Sequence, residues 1–145
     1  MFHEGLNDEG DDAPICLTLA TFHAASGAGR IAVAGMEPPL IARAGGDIES
    51  LEVSGILLGV ESDQEYQSVP FRLEHGDTLL MTTDGITETR RGGEFLGETG
   101  LRRLITEAQP LGTLELTAQA ILAGARTFGN GKFRDDVCLV LARRQ

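Results

Sequence analysis

Apolar residues occur in short runs through the first half of the chain and again at its end, with polar or glycine-rich breaks between the runs. Runs of about four to eight residues bounded by such breaks are typical of β-strands. The pattern predicts strands at 15–22, 30–34, 40–43, 48–53, 66–73, 79–81 and 137–143. The first two form a hairpin around the turn 26–29. Pro70 has no N–H to donate, so its strand is predicted to lie at a sheet edge or to carry a bulge.

Two segments follow helical spacing instead. In 98–108, apolar residues recur at i, i+3, i+4 and i+7, and this face consists of Leu101, Leu104, Ile105 and Ala108. In 114–127, Thr113 is the predicted N-cap, and the apolar stripe consists of Leu114, Ala118, Ile121, Leu122 and Ala125. The order of many strands, two helices and one strand predicts an α+β fold with helices packed on a sheet.

The 145 residues fit one domain, and 41% hydrophobic residues suffice for a core. The polar segment 1–12 is predicted to be a flexible lead-in, followed by a folded unit over 13–145. A formal net charge of −10 disfavours binding to nucleic acid or an anionic membrane. No apolar run approaches the ~18 residues of a membrane span. The N-terminus lacks the order of a signal peptide, so a cytoplasmic location is expected.

The two cysteines, Cys16 and Cys138, each lie in an apolar run. This position predicts small, buried thiols, because free cysteine behaves as a small hydrophobic residue. A disulfide between them would require the two strands to be neighbours, and nothing else in the sequence indicates an oxidising compartment.

Two acidic positions lie where predicted strands begin or end. Asp84 follows the apolar run 79–81 and is followed at once by Gly85, while Asp135 and Asp136 open the last strand. If these segments meet in space, their carboxylates and the Gly85 carbonyl supply the oxygen ligands that Mg²⁺ and Mn²⁺ prefer. An Asp-Gly pair by itself more often only makes a turn, so this motif alone does not establish a metal site.

The order of motifs along the chain is more specific than any one of them. Gly76-Asp77, an apolar strand, Thr83-Asp84-Gly85, Glu88 and finally Asp135-Asp136 occur in that sequence, and 34–40 and 57–59 precede them. This series resembles the SpoIIE/RsbU-like branch of the PPM-type protein serine/threonine phosphatases. The resemblance covers about residues 13–144.

The resemblance implies an αββα sandwich of two packed antiparallel sheets, incomplete at its N-terminus, with 13–145 as the C-terminal part of the domain. It implies hydrolysis of phosphoserine or phosphothreonine by a metal-activated water, with two Mn²⁺ or Mg²⁺ ions in the intact domain. Asp84 and Asp135 match catalytic metal-ligand positions, and Gly85 and Asp136 match their neighbours in the metal site. The implied partner is a phosphorylated anti-sigma-factor antagonist in a stress or developmental switch.

Two departures from the family pattern leave alternatives open. The acidic motif of the family's early strands has no counterpart before residue 13, and Met36 stands where many members have histidine. Glu88 matches a motif position to which we assign no role. A catalytically incomplete module that binds a regulatory partner is therefore the alternative function. Self-association through exposed sheet edges is a further expectation for an incomplete sandwich.

Overall fold

The computed structural model describes residues 13–145, and the predicted lead-in 1–12 lies outside the described residues. The strands are β1 (Leu17–Phe22), β2 (Ala28–Ala34), β3 (Leu40–Ala42), β4 (Ile48–Ser50), β5 (Ser68–Arg72), β6 (Thr78–Thr82), β7 (Arg90–Arg91), β8 (Glu94–Phe95) and β9 (Leu139–Arg143). The helices are α1 (Asp84–Thr87), α2 (Gly97–Ala108) and α3 (Leu114–Phe128), with a 3₁₀ turn at Gln109–Leu111 between the last two.

The longer strands form two antiparallel sheets. One has the order β1-β2-β5, and the other has the order β4-β3-β6-β9. The predicted hairpin is confirmed, with Leu17 opposite Ala34 and Phe22 opposite Gly29. Pro70 lies in β5, at an edge of the first sheet, as its missing N–H predicted.

The two sheets pack face to face, and the helices cover the other face of the four-stranded sheet. Successive side chains of a strand point to opposite faces, so each central strand serves both cores. In β6, Leu79 packs between the sheets and Leu80 packs against the helices. In β3, Ile41 packs between the sheets and Leu40 packs against the helices. Residues 13–145 therefore form sheet, sheet and helix layers of an α+β sandwich.

The spacing predicted the whole buried face of α2 and part of that of α3, where Leu114, Ala118 and Leu122 are half-buried. All four predicted residues of α2 are buried. In α3, Ile121 and Ala125 are buried, and the hydroxyl of Thr113 accepts a hydrogen bond from the Leu116 N–H at 3.2 Å, which confirms the N-cap. Within residues 13–145, no helix is long and apolar enough to cross a bilayer.

The prediction for the cysteines was wrong. Cys16 and Cys138 are both exposed free thiols, and each lies just before a strand rather than in it. The last strand begins at Leu139, because the backbone N–H and carbonyl of Cys138 are bonded to Thr83. The segment around Cys138 is thus the end of a loop, where a side chain need not face the core.

One buried carboxylate fastens the start of β6 to its neighbours. Asp77, whose side chain is 3% exposed, accepts hydrogen bonds from the Ala44 and Glu74 N–H groups and from Nη1 of Arg43, at 2.9, 2.8 and 2.7 Å. Burial by itself raises the pKa of this carboxyl, but the hydrogen bonds and the nearby charge outweigh burial, so the pKa of Asp77 lies below its ordinary 3.8.

We expect Asp77→Asn to lower the free energy of unfolding by about 1–3 kcal/mol at neutral pH, because it weakens a buried, charge-assisted network. A depressed carboxyl pKa stabilises the fold above the unfolded pKa, and this contribution is lost as pH falls through the folded value. The difference in free energy of unfolding between wild type and variant should therefore narrow as pH drops below 3.8. Urea denaturation at several pH values measures it, with the exposed Asp63→Asn as control. A gap that stays constant down to acid pH would contradict the assignment.

Candidate functional site

Asp84 lies at the junction between β6 and the short helix α1. The strand ends at Thr82, Thr83 keeps an extended conformation, and Asp84 is the first residue of α1. Ile86, which is fully buried, anchors α1 in the core beneath the helices. Asp84 itself is exposed. The local fold therefore holds the backbone of Asp84 between a central strand and a buried anchor while its carboxylate faces outward.

The hydroxyl of Thr83 joins this junction to the segment that carries the second acidic pair. It donates to the carbonyl of Asp136 and accepts from the N–H of Cys138, each at 3.0 Å. The Thr83 N–H also donates to the Cys138 carbonyl at 3.2 Å. These hydrogen bonds hold the segment 136–138 beside the Asp84 turn.

Gly85 lies against the same segment. A Cβ at position 85 would be 2.3 Å from the carbonyl oxygen of Asp136, a separation that real Cβ atoms do not show. The glycine is therefore required for the two segments to approach each other. The carbonyl of Gly85 accepts a hydrogen bond from the Thr89 hydroxyl at 2.9 Å, so only its second lone pair remains for another ligand.

The acidic pair is partly organised by its own backbone. One carboxylate oxygen of Asp135 accepts the N–H of Asp136 at 2.7 Å, and both side chains are exposed. Glu88 is also exposed, and its backbone N–H closes α1 by donating to the Asp84 carbonyl at 2.7 Å. The structure thus gives Glu88 a backbone role at the end of α1.

A cleft of about 250 Å³ opens beside Asp84. Its lining includes Met36 and Glu37 from the β2–β3 connection, together with Cys16 and Thr83. The Thr87 hydroxyl lies 3.1 Å from the Asp84 carbonyl and 3.4 Å from a carboxylate oxygen of Glu37, which places this connection beside α1. Sequence reasoning did not select Glu37 as a site residue. Its position directly after the Gly35-Met36 turn was the available signal, but nothing local places that turn beside Asp84.

These residues supply part of a donor set for a hard cation. Asp84 lines the cleft, and the segment carrying Asp135 and Asp136 is hydrogen-bonded to the neighbouring Thr83. Within residues 13–145, however, no three His, Cys, Asp or Glu side chains gather closely enough to hold a metal ion. Carboxylate and carbonyl oxygens match the ligand preference of Mg²⁺ and Mn²⁺. The described residues therefore fit one side of a metal site, and their assignment as ligands stays a prediction.

Comparison with known proteins identifies the class of this fold. The solved structure of the RsbU and RsbW domains of Rv1364c from Mycobacterium tuberculosis aligns with a TM-score of 0.76 at 22% identity, over 90% of this chain and 37% of that one. The PPM Ser-Thr phosphatase MsPP from Mycobacterium smegmatis, in complex with cacodylate, aligns with a TM-score of 0.68 at 17% identity, over 96% of this chain and 66% of that one. The sandwich is that of the PPM phosphatase domains, which confirms the predicted fold.

Sequence comparison then gives the family. The model for Stage II sporulation protein E (SpoIIE) matches residues 2–145, and the chain belongs to this family. Phosphoserine phosphatase RsbU from Bacillus subtilis (strain 168) is 30% identical over 95 residues, which cover 66% of this chain. The matched part spans 28% of the length of RsbU. The resemblance drawn from the motifs is thereby confirmed.

We expect Gly85→Ala to separate the Asp84 turn from the segment 136–138, because the new methyl group meets backbone that cannot rotate away. The free energy of unfolding should fall by about 1–3 kcal/mol, and the Cys138 amide should exchange with solvent faster. Hydrogen exchange and urea denaturation measure both effects. Gly93→Ala is the matched control, because a Cβ there has no neighbour within 4 Å. Equal free energies of unfolding and equal Cys138 exchange rates in the two variants would contradict a tight approach at Gly85.

Proposed function

We propose that this chain carries the C-terminal part of a metal-dependent protein serine/threonine phosphatase domain. The contact between the Asp84 turn and the segment 136–138 is the observation that supports this proposal most directly. This contact brings the segments that carry Asp84 and Asp135-Asp136 together where β6 ends and β9 begins. Membership of the SpoIIE family and the relationship to a phosphoserine phosphatase point to the same chemistry.

In this proposal Asp84, Asp135 and Asp136, with the Gly85 carbonyl, hold one side of a site for Mn²⁺ or Mg²⁺. The SpoIIE phosphatase domain from Bacillus subtilis, to which this chain is similar, has been presoaked with Mn. A divalent ion, when bound, lowers the pKa of a coordinated water and offsets charge on a phosphoryl oxygen. The cleft beside Asp84 is the place where a phosphorylated side chain would enter, and its lining includes the thioether residue Met36 and the carboxylate residue Glu37.

The residues of the chain have separable roles in this scheme. Asp84 and Asp135 are the proposed catalytic ligands, and Thr83 is a positioning residue, because its hydroxyl holds the segment 136–138 beside the Asp84 turn. The substrate class is a phosphoserine or phosphothreonine protein. We further propose that the substrate is a phosphorylated anti-sigma-factor antagonist in a stress or developmental switch. The reaction is proposed to take place in the cytoplasm.

The test is Mn²⁺-dependent release of phosphate from a phosphoserine peptide and from p-nitrophenyl phosphate. We expect Asp84→Asn and Asp135→Asn each to lower kcat/KM at least on the order of 100-fold, equivalent to about 2.7 kcal/mol of transition-state stabilisation. Asp63→Asn, an exposed carboxylate in a loop away from the cleft, is the control. Undiminished hydrolysis by both site variants would refute the assignment of these residues.

Calorimetric titration with Mn²⁺ separates this function from the alternative of a partner-binding module. Two-ion binding with hydrolysis supports the phosphatase. Weak single-ion binding without hydrolysis supports a catalytically incomplete module that recognises a regulatory protein.

Self-association stays a separate prediction. β1 and β5 form the edges of the three-stranded sheet, and Leu19 of β1 is 53% exposed, so light scattering is the measurement that decides it.

A further inference from the structure

Five of the 12 basic residues of this acidic chain lie together on one surface, which we call the basic patch: Arg90, Arg91, Arg126, Lys132 and Arg134. The first two form β7, and the others lie at the end of α3 and in the loop that follows it. All five are exposed. The hairpin of β7 and β8 was not predicted, although a Gly-Gly pair such as Gly92-Gly93 is a recognised signal for a two-residue hairpin turn.

Contacts between aromatic rings and guanidinium groups join the two parts of the patch. The guanidinium of Arg91 lies over the ring of Phe128 in α3, with its Cζ 4.8 Å from the ring centroid. Gly129 also packs against Thr89, so close that a Cβ would be 2.6 Å from the threonine methyl group. The hairpin is therefore fixed against the C-terminal end of α3, and the basic residues form one surface rather than two separate loops.

Two more rings orient guanidinium groups within the patch. Arg90 lies over Phe95, its cross-strand neighbour, at 4.1 Å from Cζ to the ring centroid, and Arg126 lies over Phe133 at 5.4 Å. A guanidinium held on a ring loses less conformational freedom when it binds an anion than a freely rotating one does. The rings are thus supports for cations, and one face of each is already covered.

Most cations of the patch form no salt bridge with the described residues. Elsewhere in residues 13–145, Arg43, Arg72, Arg102, Arg103 and Arg144 each pair with a carboxylate. Within the patch, the pair formed by Arg91 and Glu94 at 3.6 Å is the one salt bridge that the described residues show. On a chain of net charge −10, this group of cations is the place where an anion binds most favourably, beside the acidic residues Asp135 and Asp136.

The patch borders the candidate site through both of its sequence segments. α1 begins at Asp84, and β7 follows α1 after two residues. On the other side, Arg134 directly precedes Asp135. A chain segment that delivers a phosphorylated residue to the cleft would therefore reach the patch with its flanking residues.

We propose that the basic patch binds acidic residues that flank the phosphorylated side chain of the protein substrate. This inference rests on the proposed function for the identity of the phosphorylated residue. Nucleic acid fits the patch less well, because single-stranded nucleic acid needs free ring faces for base stacking, and a long polyanion would also meet the acidic remainder of the surface.

The test uses three synthetic phosphoserine peptides of equal length, flanked by glutamate, by glutamine or by lysine, each labelled for fluorescence anisotropy. We expect the 145-residue chain to bind the glutamate-flanked peptide tightest and the lysine-flanked peptide weakest. The preference should shrink between about 50 mM and about 300 mM NaCl, since exposed charges are screened over that range. Equal binding of the three peptides would overturn the proposal, and this comparison needs no variant.

The second test is the triple variant Arg90→Gln, Arg126→Gln, Arg134→Gln. We expect the ratio of its affinities for the glutamate-flanked and lysine-flanked peptides to fall on the order of tenfold. The control is Arg72→Gln combined with Arg103→Gln, two exposed arginines outside the patch, compared with the double variant Arg90→Gln, Arg126→Gln of equal charge change. A preference retained in the triple variant would contradict the proposal, as would tighter binding of labelled single-stranded DNA than of the acidic peptide.

Hydrolysis of the same peptides is measured separately, so that the two proposals fail independently. Binding preference without phosphate release supports the patch and counts against the phosphatase. Phosphate release with no preference among the peptides supports the phosphatase and counts against the patch.

Discussion

The candidate site depends on the hydroxyl of one threonine at the end of a central strand. Thr83 donates to the Asp136 carbonyl and accepts from the Cys138 N–H, so a single side chain satisfies two backbone groups of a segment far away in the sequence. The backbone ladder between β6 and β9 sets the register, with Thr82 opposite Leu139, and the directional hydrogen bonds of Thr83 continue it past the strand ends to the Asp136 segment.

The central strand β6 is fixed by polar groups at both of its ends. Asp77, just before the strand, binds two backbone N–H groups and Arg43, and Thr83, just after it, binds the loop that leads into β9. Between them, the alternating leucines fill both cores. The strand is consequently held along its length as well as across the sandwich. A site at its end inherits this rigidity, which is what catalytic or ligand groups need for a fixed geometry.

The basic residues of the molecule include two groups, those paired with carboxylates and those oriented by aromatic rings. This distinction has a functional meaning if the chain acts on a phosphoprotein as proposed. Several basic residues form local pairs with carboxylates, as Arg43 and Arg102 do, and these pairs serve structure or the surface. The cations that lie over Phe95, Phe128 and Phe133 differ, because an aromatic ring orients each of them. Of the three, Arg91 also pairs with Glu94. Acidic groups for a cation and basic groups for an anion thus occur side by side, as binding a phosphoprotein requires.

The sequence by itself determined the local elements of this protein and its family. Alternation predicted the hairpin of β1 and β2, helical spacing predicted the buried faces of α2 and α3, and the ordered motifs from Gly76 to Asp136 predicted the phosphatase-type sandwich, because these signals lie within or along single segments. The tertiary structure alone decided that Thr83 binds the Asp136 segment, that Glu37 lines the Asp84 cleft, that Cys138 is exposed and that two basic loops form one patch. Such pairings join residues of unrelated sequence position, and no local periodicity encodes which backbone group a distant side chain will meet.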